Sequence, residues 1–532
     1  MKKFLSTLIV LVLTLNAFAQ NNMELRSQLY YSQGMSSLWG YTNPNDNKEY
    51  ALAGIKDGLA IIDVTDPDNA QELFFLARPM CTWHEMKVWD DHVYCVTECG
   101  DGLFIADLSN LPASVDTSYW YGDTSFYFWK AHSIFIDENG FAFLNGFNDH
   151  DGNVGNDQRG CMIVDLADPD NPQIAGYYQD NYVHDCYARN DTLWTGEIYV
   201  GHFGVVDISD KANPVFLNYQ NTPGAFCHNT WLNDAGNVLF TTDEVSGGYV
   251  TAFDVSDLSD MKELDRWHAN DGSGSVEHNV HVINDYLCVA HYRDGVRIVD
   301  AHKPDNLVEV GSYDTHPLSG GGFEGVWGVY PYFPSGTVLA GDRSEGVFVL
   351  TPDYKRACYL EGTVIDSITG LGIPNVRVEF LGTTIKDFTT IDGSYKTGIA
   401  DSGTYDIRFY ISYCYTKIIT DINLSPALVT TLDEQLICGP NSINDLNEQN
   451  SYLTASPNIF SSSTTLNYSL NDFNGDEKFI LLNSAGQILK QIDLTTPRGS
   501  IVTGENLIRG IYFASIINSK GTVQSLRLVK GD

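Results

Sequence analysis

The first two-thirds of the chain repeats one short pattern, an apolar run that is rich in β-branched residues and ends in Asp. The pattern occurs at Gly58–Asp63, Gly102–Asp107, Gly160–Asp165, Phe203–Asp207, Tyr249–Asp254, Gly295–Asp300 and, without the Asp, Gly346–Leu350. Such a run followed by turn residues is typical of a buried strand. The Asp can accept hydrogen bonds from the amides of its own turn, so we interpret it as structural. A repeat of this length indicates a stacked or radial architecture.

The repeats divide the region into seven units, each long enough for four short strands. Their first strands begin near Ser36, His84, His132, His184, His228, His278 and Glu324. Glu24–Tyr31 resembles the last strand of a unit but has no unit before it, whereas Gly346–Leu350 lacks such a strand after it. Pairing the two would remove an exposed sheet edge. The sequence therefore predicts an all-β protein whose residues 20–355 form a seven-bladed β-propeller.

The residues of this region also resemble a known family. Gly295–Asp300 is the nearest match to the LVIVD repeat, and the region as a whole is similar to LVIVD-repeat proteins of the choice-of-anchor B type. That resemblance implies a secreted propeller. It implies no established chemistry.

Two further β-rich modules follow the repeats. Residues 356–438 alternate strands with Gly/Asp turns, which predicts a β-sandwich, and they resemble the carboxypeptidase regulatory-like domain, a companion without catalytic activity. The polar stretch 439–451 reads as a linker. Residues 452–532 form a small C-terminal β-sandwich that resembles the sorting domain of the type IX secretion system, although Asn458 is followed by Ile459 where Pro is usual. The resemblance implies the type IX machinery as a partner.

The N-terminus predicts export. Basic residues at Lys2 and Lys3, an apolar run at Leu8–Leu15 and the small-residue motif Ala17–Ala19 form a signal peptide over residues 1–19, with cleavage before Gln20. We expect a secreted protein at the outer-membrane surface or outside the cell, since no later stretch is apolar for long enough to be a transmembrane segment. Export permits disulfides, but seven of the ten cysteines precede residue 300 and three follow it. These odd numbers leave open a bridge between the groups or free thiols.

The charge balance excludes one class of partner. With 68 acidic and 31 basic residues the net charge is −37, which repels nucleic acid. The acidic residues are spread through turns, so we favour solubility as their role, with surface calcium binding as the alternative. The acidic loop Asp149–Asp157 is the candidate for calcium, but it lacks the closing Glu of an EF-hand loop, and a plain surface loop is the preferred interpretation.

Histidine is the residue type that points to a site. All thirteen histidines precede residue 317, and five occupy the same position at the start of a first strand: His84, His132, His184, His228 and His278, with Glu324 at that position in the seventh unit. The first strands of a propeller line its channel, so these side chains are expected to meet at one mouth. A second polar set recurs near the ends of the second strands: Glu98, Asn145, Glu197, Glu244, His291 and Asp342.

Neutral imidazoles suit zinc, copper or iron, and we predict a transition-metal site of His84, His132, His184, His228, His278 and Glu324. An open coordination position would support oxidation or hydrolysis, with Glu98 or Glu197 carrying the proton. The alternative is a water-filled channel in which the histidines are a product of repeat duplication. No Gly-x-Ser-x-Gly or His-Glu-x-x-His motif is present. The leading hypothesis is therefore a surface protein that binds a glycan, peptide or small molecule at the propeller, and a metal-dependent enzyme is the alternative.

The sorting assignment has a direct test. Deleting residues 452–532 should trap the protein in the periplasm and leave the repeat region folded, because a polar linker indicates few contacts across the boundary. Cell fractionation of the truncated and full-length forms measures this. Normal surface display of the truncated form would contradict the assignment.

Overall fold

The computed structural model describes residues 20–149, 160–270, 272–438, 452–471, 473–484, 486–519 and 521–531. The predicted signal peptide, most of the candidate calcium loop and the linker 439–451 lie outside these residues. Apart from one turn of 3₁₀ helix at Pro67–Asn69, the ordered elements are β-strands, which confirms the all-β prediction. Within the described ranges, no helix has the length and apolar character needed to cross a membrane.

The repeats fold into seven antiparallel sheets, preceded by β1 (Gln20–Asn21) and β2 (Met23–Leu29). Sheet one contains β3 (Met35–Thr42), β4 (Glu49–Ile55), β5 (Gly58–Asp63) and β6 (Gln71–Ala77). Sheet two contains β7 (His84–Trp89), β8 (His92–Thr97), β9 (Leu103–Asp107) and β10 (Asp116–Trp120). Sheet three contains β11 (Ser133–Ile136), β12 (Phe141–Asn145), β13 (Cys161–Asp165) and β14 (Gln173–Tyr178). Sheet four contains β15 (Asp185–Arg189), β16 (Thr192–Glu197), β17 (His202–Asp207) and β18 (Val215–Asn221). Sheet five contains β19 (Cys227–Leu232), β20 (Val238–Asp243), β21 (Val250–Asp254) and β22 (Lys262–Trp267). Sheet six contains β23 (Asn279–Ile283), β24 (Tyr286–His291), β25 (Gly295–Asp300) and β26 (Val308–Tyr313). Sheet seven contains β27 (Val326–Tyr330), β28 (Val338–Asp342) and β29 (Gly346–Pro352).

The sheets close into a ring. Their first strands contact one another in the order β3, β7, β11, β15, β19, β23, β27 and back to β3. The N-terminal strand β2 pairs antiparallel with β29, from Met23 opposite Pro352 to Leu29 opposite Val347, and so completes sheet seven. The pairing expected from the sequence is confirmed, and the arrangement is β-propeller-like.

The Asp that ends each repeat has the predicted structural role. In all six repeats that carry it, an Asp Oδ1 accepts the backbone N–H two residues further on, at 2.8–3.0 Å: Asp63, Asp107, Asp165, Asp207, Asp254 and Asp300. This local bond holds the turn that follows the third strand and leads into the fourth.

The apolar cores lie between neighbouring sheets. Phe203 on β17 and Phe253 on β21, for example, pack edge to face with ring centroids 5.2 Å apart, and both are buried. Because both faces of most strands are covered in this way, the third strands of the repeats are apolar along nearly their whole length instead of alternating.

The rest of the chain adds four sheets. β30 (Cys358–Asp366), β33 (Ser394–Ile399), β36 (Val429–Thr431) and β37 (Glu434–Leu436) form one; β31 (Arg377–Phe380), β32 (Lys386–Phe388), β34 (Gly403–Tyr410) and β35 (Lys417–Leu424) form another. β38 (Tyr452–Ser456), β39 (Thr464–Ser469) and β42 (Arg498–Thr503) form the third; β40 (Lys478–Asn483), β41 (Ile488–Asp493), β43 (Gly510–Asn518) and β44 (Gly521–Lys530) form the fourth.

The chain divides into two compact units. The first contains the ring with Thr397–Gly403 and Asn423–Thr430, and the second contains Glu361–Lys396, Thr404–Ile422 and Thr431–Asp532. Within the second unit, the buried Arg527 lies 3.4 Å from Asp366 and donates to the carbonyl of Gly372 at 2.9 Å.

The disulfides resolve the odd cysteine counts. Cys81 bonds to Cys99 within the repeat region, and Cys414 bonds to Cys438 in the second unit. The other six cysteines are buried thiols, so no bridge joins the two groups. Of the two alternatives that the sequence left open, free thiols are therefore correct.

Ring closure by β2 is testable through Met23, which is 5% exposed and packs with Phe348 and Leu350 of β29. Met23→Ala should lower the free energy of unfolding by about 2–4 kcal/mol, because it leaves a cavity at the closing pair. The urea midpoint followed by near-ultraviolet circular dichroism measures this. Glu24→Ala, which alters an exposed neighbour on the same strand, should change little. Equal effects of the two substitutions would contradict a closing role for β2.

Candidate metal site

The five repeated histidines lie where first strands begin. His84 opens β7 and His228 is the second residue of β19, while His132, His184 and His278 immediately precede β11, β15 and β23. Because these strands contact one another around the ring, residues at their beginnings converge at one end of it.

Four of the imidazoles form a continuous row. The ring centroids of His132 and His184 are 3.8 Å apart, those of His184 and His228 are 4.6 Å apart, and those of His228 and His278 are 4.3 Å apart. The possible ligand atoms of His132, His184 and His228 all lie within 4.8 Å of one another, and the same holds for His228, Glu244 and His278. Two overlapping three-ligand sets therefore share His228.

Acceptors around the row orient two of the rings. Glu98 Oε1 is 2.6 Å from His132 Nδ1, and the carbonyl oxygen of Trp327 is 2.5 Å from His278 Nδ1. A carbonyl can only accept, so His278 carries its proton on Nδ1 and turns the lone pair of Nε2 inward. This is how a partner beyond the ligand fixes the tautomer of a metal-binding histidine.

Glu244 faces the lone pair of His278. Its carboxylate lies 3.8 Å from His228 Nε2 and 3.8 Å from His278 Nε2, and it accepts a hydrogen bond from the Tyr292 hydroxyl at 2.6 Å. Burial raises the pKa of Glu244. A carboxylate oxygen and an imidazole lone pair repel each other unless a proton or a cation lies between them.

Three of the imidazoles, those of His184, His228 and His278, are held neutral. Burial, followed by the attraction of Asp185 in the opposite direction and repulsion from His132, sets the pKa of His228 at about 4. Burial and the neighbouring histidines hold the pKa values of His184 and His278 well below the usual range. At neutral pH these rings therefore present lone pairs, which is the form that binds a metal.

Two predicted ligands do not join the row. His84 is buried and its backbone N–H donates to Ser36 Oγ at 3.0 Å, but its side chain belongs to neither ligand set. Gly54 permits this packing, since a Cβ there would lie 2.7 Å from His84 Cβ. Glu324 is exposed because β27 begins two residues later than the repeat pattern predicts, at Val326, after Gly325 with φ +102°. Trp327 occupies the corresponding place beside His278, with ring centroids 4.7 Å apart.

Of the two predicted proton carriers, only Glu98 contacts the row. Glu197 is fully buried in a network of its own: it accepts from Tyr178, Asn181 and Thr195 and lies 2.6 Å from His202 Nε2. A carboxylate with that many partners is structural. Asn145 and Asp342 also lie in separate hydrogen-bond networks.

The interior of the ring is layered. One residue beyond the histidines, Ser133, Asp185 and Asn229 form a polar layer in which Asn229 donates to Asp185 at 2.8 Å. Three residues beyond them the layer is largely aromatic, with Phe135, Tyr187 and Trp231 in mutual contact, Lys87 over the ring of Trp39, and His281 beside Trp231. A cavity of about 430 Å³ is lined by Trp39, Lys87, Phe135, Tyr187, Trp231 and Arg189.

A second group was missed by the sequence reasoning. His268, Glu277 and His291 place possible ligand atoms within 4.8 Å of one another. His291 was noted at a second-strand end, but His268 and Glu277 belong to no repeated position. The available signal was the acidic residue directly before the repeated His278.

His281 provides a pH test of the interior. Burial, followed by the nearby Lys87 ammonium, lowers its pKa to about 3. In the unfolded chain this imidazole binds a proton near pH 6.5, whereas in the folded chain it stays unprotonated until the pH approaches 3. This site therefore removes stability as the pH falls from about 6.5 towards 3, by at most about 1.4 kcal/mol per pH unit. His281→Phe should show a shallower fall in urea midpoint between about pH 7 and about pH 5 than the parent. Parallel curves would contradict the assignment, and His302→Gln at an exposed position is the control.

Comparison with known proteins identifies a known repeat in two segments of the chain. The LVIVD repeat model matches residues 198–222 and 274–315, which contain β17, β18 and β23 to β26. No curated protein matches the chain. Among solved structures, the β-propeller domain of Cps50 (Swd1) from Myceliophteria thermophila is similar at 11% identity and a TM-score of 0.42, with 62% of this chain and 99% of that chain covered. A similarity at that level bears on neither ligand nor activity. The chain thus carries LVIVD repeats on an all-β, propeller-like fold.

Proposed function

We propose that this protein is an exported seven-bladed β-propeller that binds a transition-metal ion, zinc, copper or iron, at one end of its ring and binds a ligand there. His132, His184 and His228 would hold the metal, with His278 and Glu244 beside them as further possible ligands. The proposal rests on the row of four imidazoles beside one carboxylate.

The hydrogen bonding of the row favours a cation over simple repeat duplication. Duplication predicts that each imidazole bonds to a neighbouring group. Nδ1 of His132, His184 and His278 each has such a neighbour, but among the described residues no hydrogen bond joins two of the four rings. The possible ligand atoms of the row instead lie within 4.8 Å of one another in two sets, one of which includes Glu244. A metal ion that accepts these lone pairs would satisfy them.

The site is open enough to bind a ligand as well. The side chain of Glu98 is 40% exposed although it contacts His132, so solvent reaches this edge of the row. An ion bound by His132, His184 and His228 would have a fourth position accessible from this edge, which is typical of metal sites that bind an exogenous molecule. A glycan, peptide or small molecule with an oxygen or nitrogen donor is the expected class of ligand.

Export is a further part of the proposal. Residues 1–19 would be the signal peptide, 20–355 the propeller, 356–438 a carboxypeptidase regulatory-like β-sandwich, and 452–532 a type IX sorting domain. LVIVD-repeat proteins are usually extracellular or surface-associated, which supports this placement. The disulfides Cys81–Cys99 and Cys414–Cys438 are also consistent with an oxidising compartment.

A metal-dependent enzyme is the second candidate, and Glu98 favours it. Its carboxylate lies beside a proposed ligand at the accessible edge, where it could accept a proton from a metal-bound water. Turnover of a panel of esters, phosphoesters and phenols by the metal-loaded protein, lost in Glu98→Gln with the metal retained, would favour the enzyme. Ligand binding without turnover would favour the binding protein.

The metal itself is tested by His184→Ala in the mature protein. This change should remove about one metal ion per chain. It should also abolish the part of the chelator's effect on melting temperature that comes from this site. The reason is that a ligand bound only by the folded state stabilises it by roughly 3 kcal/mol at a hundredfold excess over Kd. Elemental analysis and melting temperature with and without chelator measure the result. His302→Ala, at an exposed histidine, is the matched control. A parent protein without metal and indifferent to chelator would overturn the proposal.

A further inference from the structure

The second histidine group lies where sheet five connects to sheet six. His268 directly follows β22, Glu277 directly precedes His278, and His291 is the last residue of β24. The group therefore links three places: the start and the end of the connection between sheets five and six, and the end of β24 in sheet six. It shares no residue with the row at the end of the ring.

One carboxylate oxygen lies between the two imidazoles. Glu277 Oε1 is 2.5 Å from His268 Nδ1 and 3.2 Å from His291 Nε2, and the two ring centroids are 5.3 Å apart. Two imidazole nitrogens and a carboxylate oxygen within 4.8 Å form a donor set typical of zinc.

Burial distinguishes this group from a surface ion pair. The side chains of Glu277 and His291 are fully buried, and that of His268 is 9% exposed. Glu277 Oε2 is buried and has no hydrogen-bond partner. Hydrogen bonding to the two histidines accounts for Oε1 only, so the second oxygen of this carboxylate requires another partner.

The far side of His291 is also supported. Its Nδ1 lies 3.3 Å from Ser275 Oγ and 3.6 Å from Asp294 Oδ2. Asp294 in turn accepts hydrogen bonds from Asn270 Nδ2 at 3.0 Å and Ser273 Oγ at 3.3 Å. A carboxylate behind the second nitrogen of a histidine is the usual arrangement around a metal ligand.

We propose that His268, Glu277 and His291 bind a divalent transition-metal ion, with zinc as the best fit, in a second and structural site. Its burial keeps bulk solvent away from the three ligands, in contrast to the accessible row of His132, His184, His228 and His278. The metal would fix both ends of the connection to β24. Because Glu277 directly precedes His278, it would also hold that residue in position for the first site.

Zinc counting in the full mature protein tests the proposal. After loading with Zn²⁺ and removal of the excess, the parent should retain one zinc more than Glu277→Gln, a substitution that preserves the shape and one acceptor but removes the charge. Glu263→Gln, in a partly exposed pair with Arg266 on β22, is the matched control and should retain the parental count. An unchanged count in Glu277→Gln would overturn the proposal in favour of a hydrogen-bonded histidine pair.

The two metal sites fail independently. His184→Ala should lose only the zinc of the first site, and combining it with Glu277→Gln should remove both. If His184→Ala keeps the full count while Glu277→Gln loses one, the proposed function fails and this second site stands. If Glu277→Gln does not fold, His268→Asn at the edge of the group replaces it, with the same loss of one zinc expected. X-ray absorption of zinc-loaded His184→Ala should then show two imidazole ligands, and a spectrum without them would refute the site.

Discussion

Pairing of β2 with β29 is the interaction on which the ring depends. Without it, sheet seven would have three strands, with one edge of β29 unpaired. The two strands come from opposite ends of the repeat region, so the pair fixes the ends of a long loop and links the first strands into a closed order. Only in a closed order do equivalent positions of different repeats face a common interior, and the histidine row is one such set of positions.

Strand geometry then sorts the interior by chemistry. Side chains alternate along a strand, so the residues one and three positions beyond the histidines share a face, whereas most histidines of the row lie just before their strands. The structure has imidazoles at the first level, Ser133, Asp185 and Asn229 at the next, and aromatic rings beyond them. The aromatic level lines a cavity and leaves His281 buried, while the imidazole level leaves Glu98 accessible. A metal at the first level would thus be reached from the side of Glu98, with an apolar layer behind it.

The repeats made much of the fold predictable. Periodic apolar runs ending in Asp identify the third strands, and the unmatched strands at the two ends of the region identify the closing pair. Four of the six predicted ligands, His132, His184, His228 and His278, converge for the same reason, since repeat position determines location in a ring. Two predicted ligands lie apart from the row where a local feature departs from the repeat. β27 begins only after Gly325, which leaves Glu324 exposed and outside the row, and His84 packs beside Ser36 and Gly54. Glu197 satisfies the pattern, but its hydrogen-bond partners come from β14, the connection after it, β16 and β17, and no spacing rule shows them.

The four imidazoles of the row are proposed to surround a metal ion instead of only packing against one another. Anomalous X-ray diffraction from crystals of the as-isolated protein, with data collected on both sides of the zinc, copper and iron edges, tests it most directly. We expect an anomalous peak within bonding distance of at least three of the nitrogens of His132, His184, His228 and His278. A water molecule or empty density at that position in these crystals would contradict the metal site.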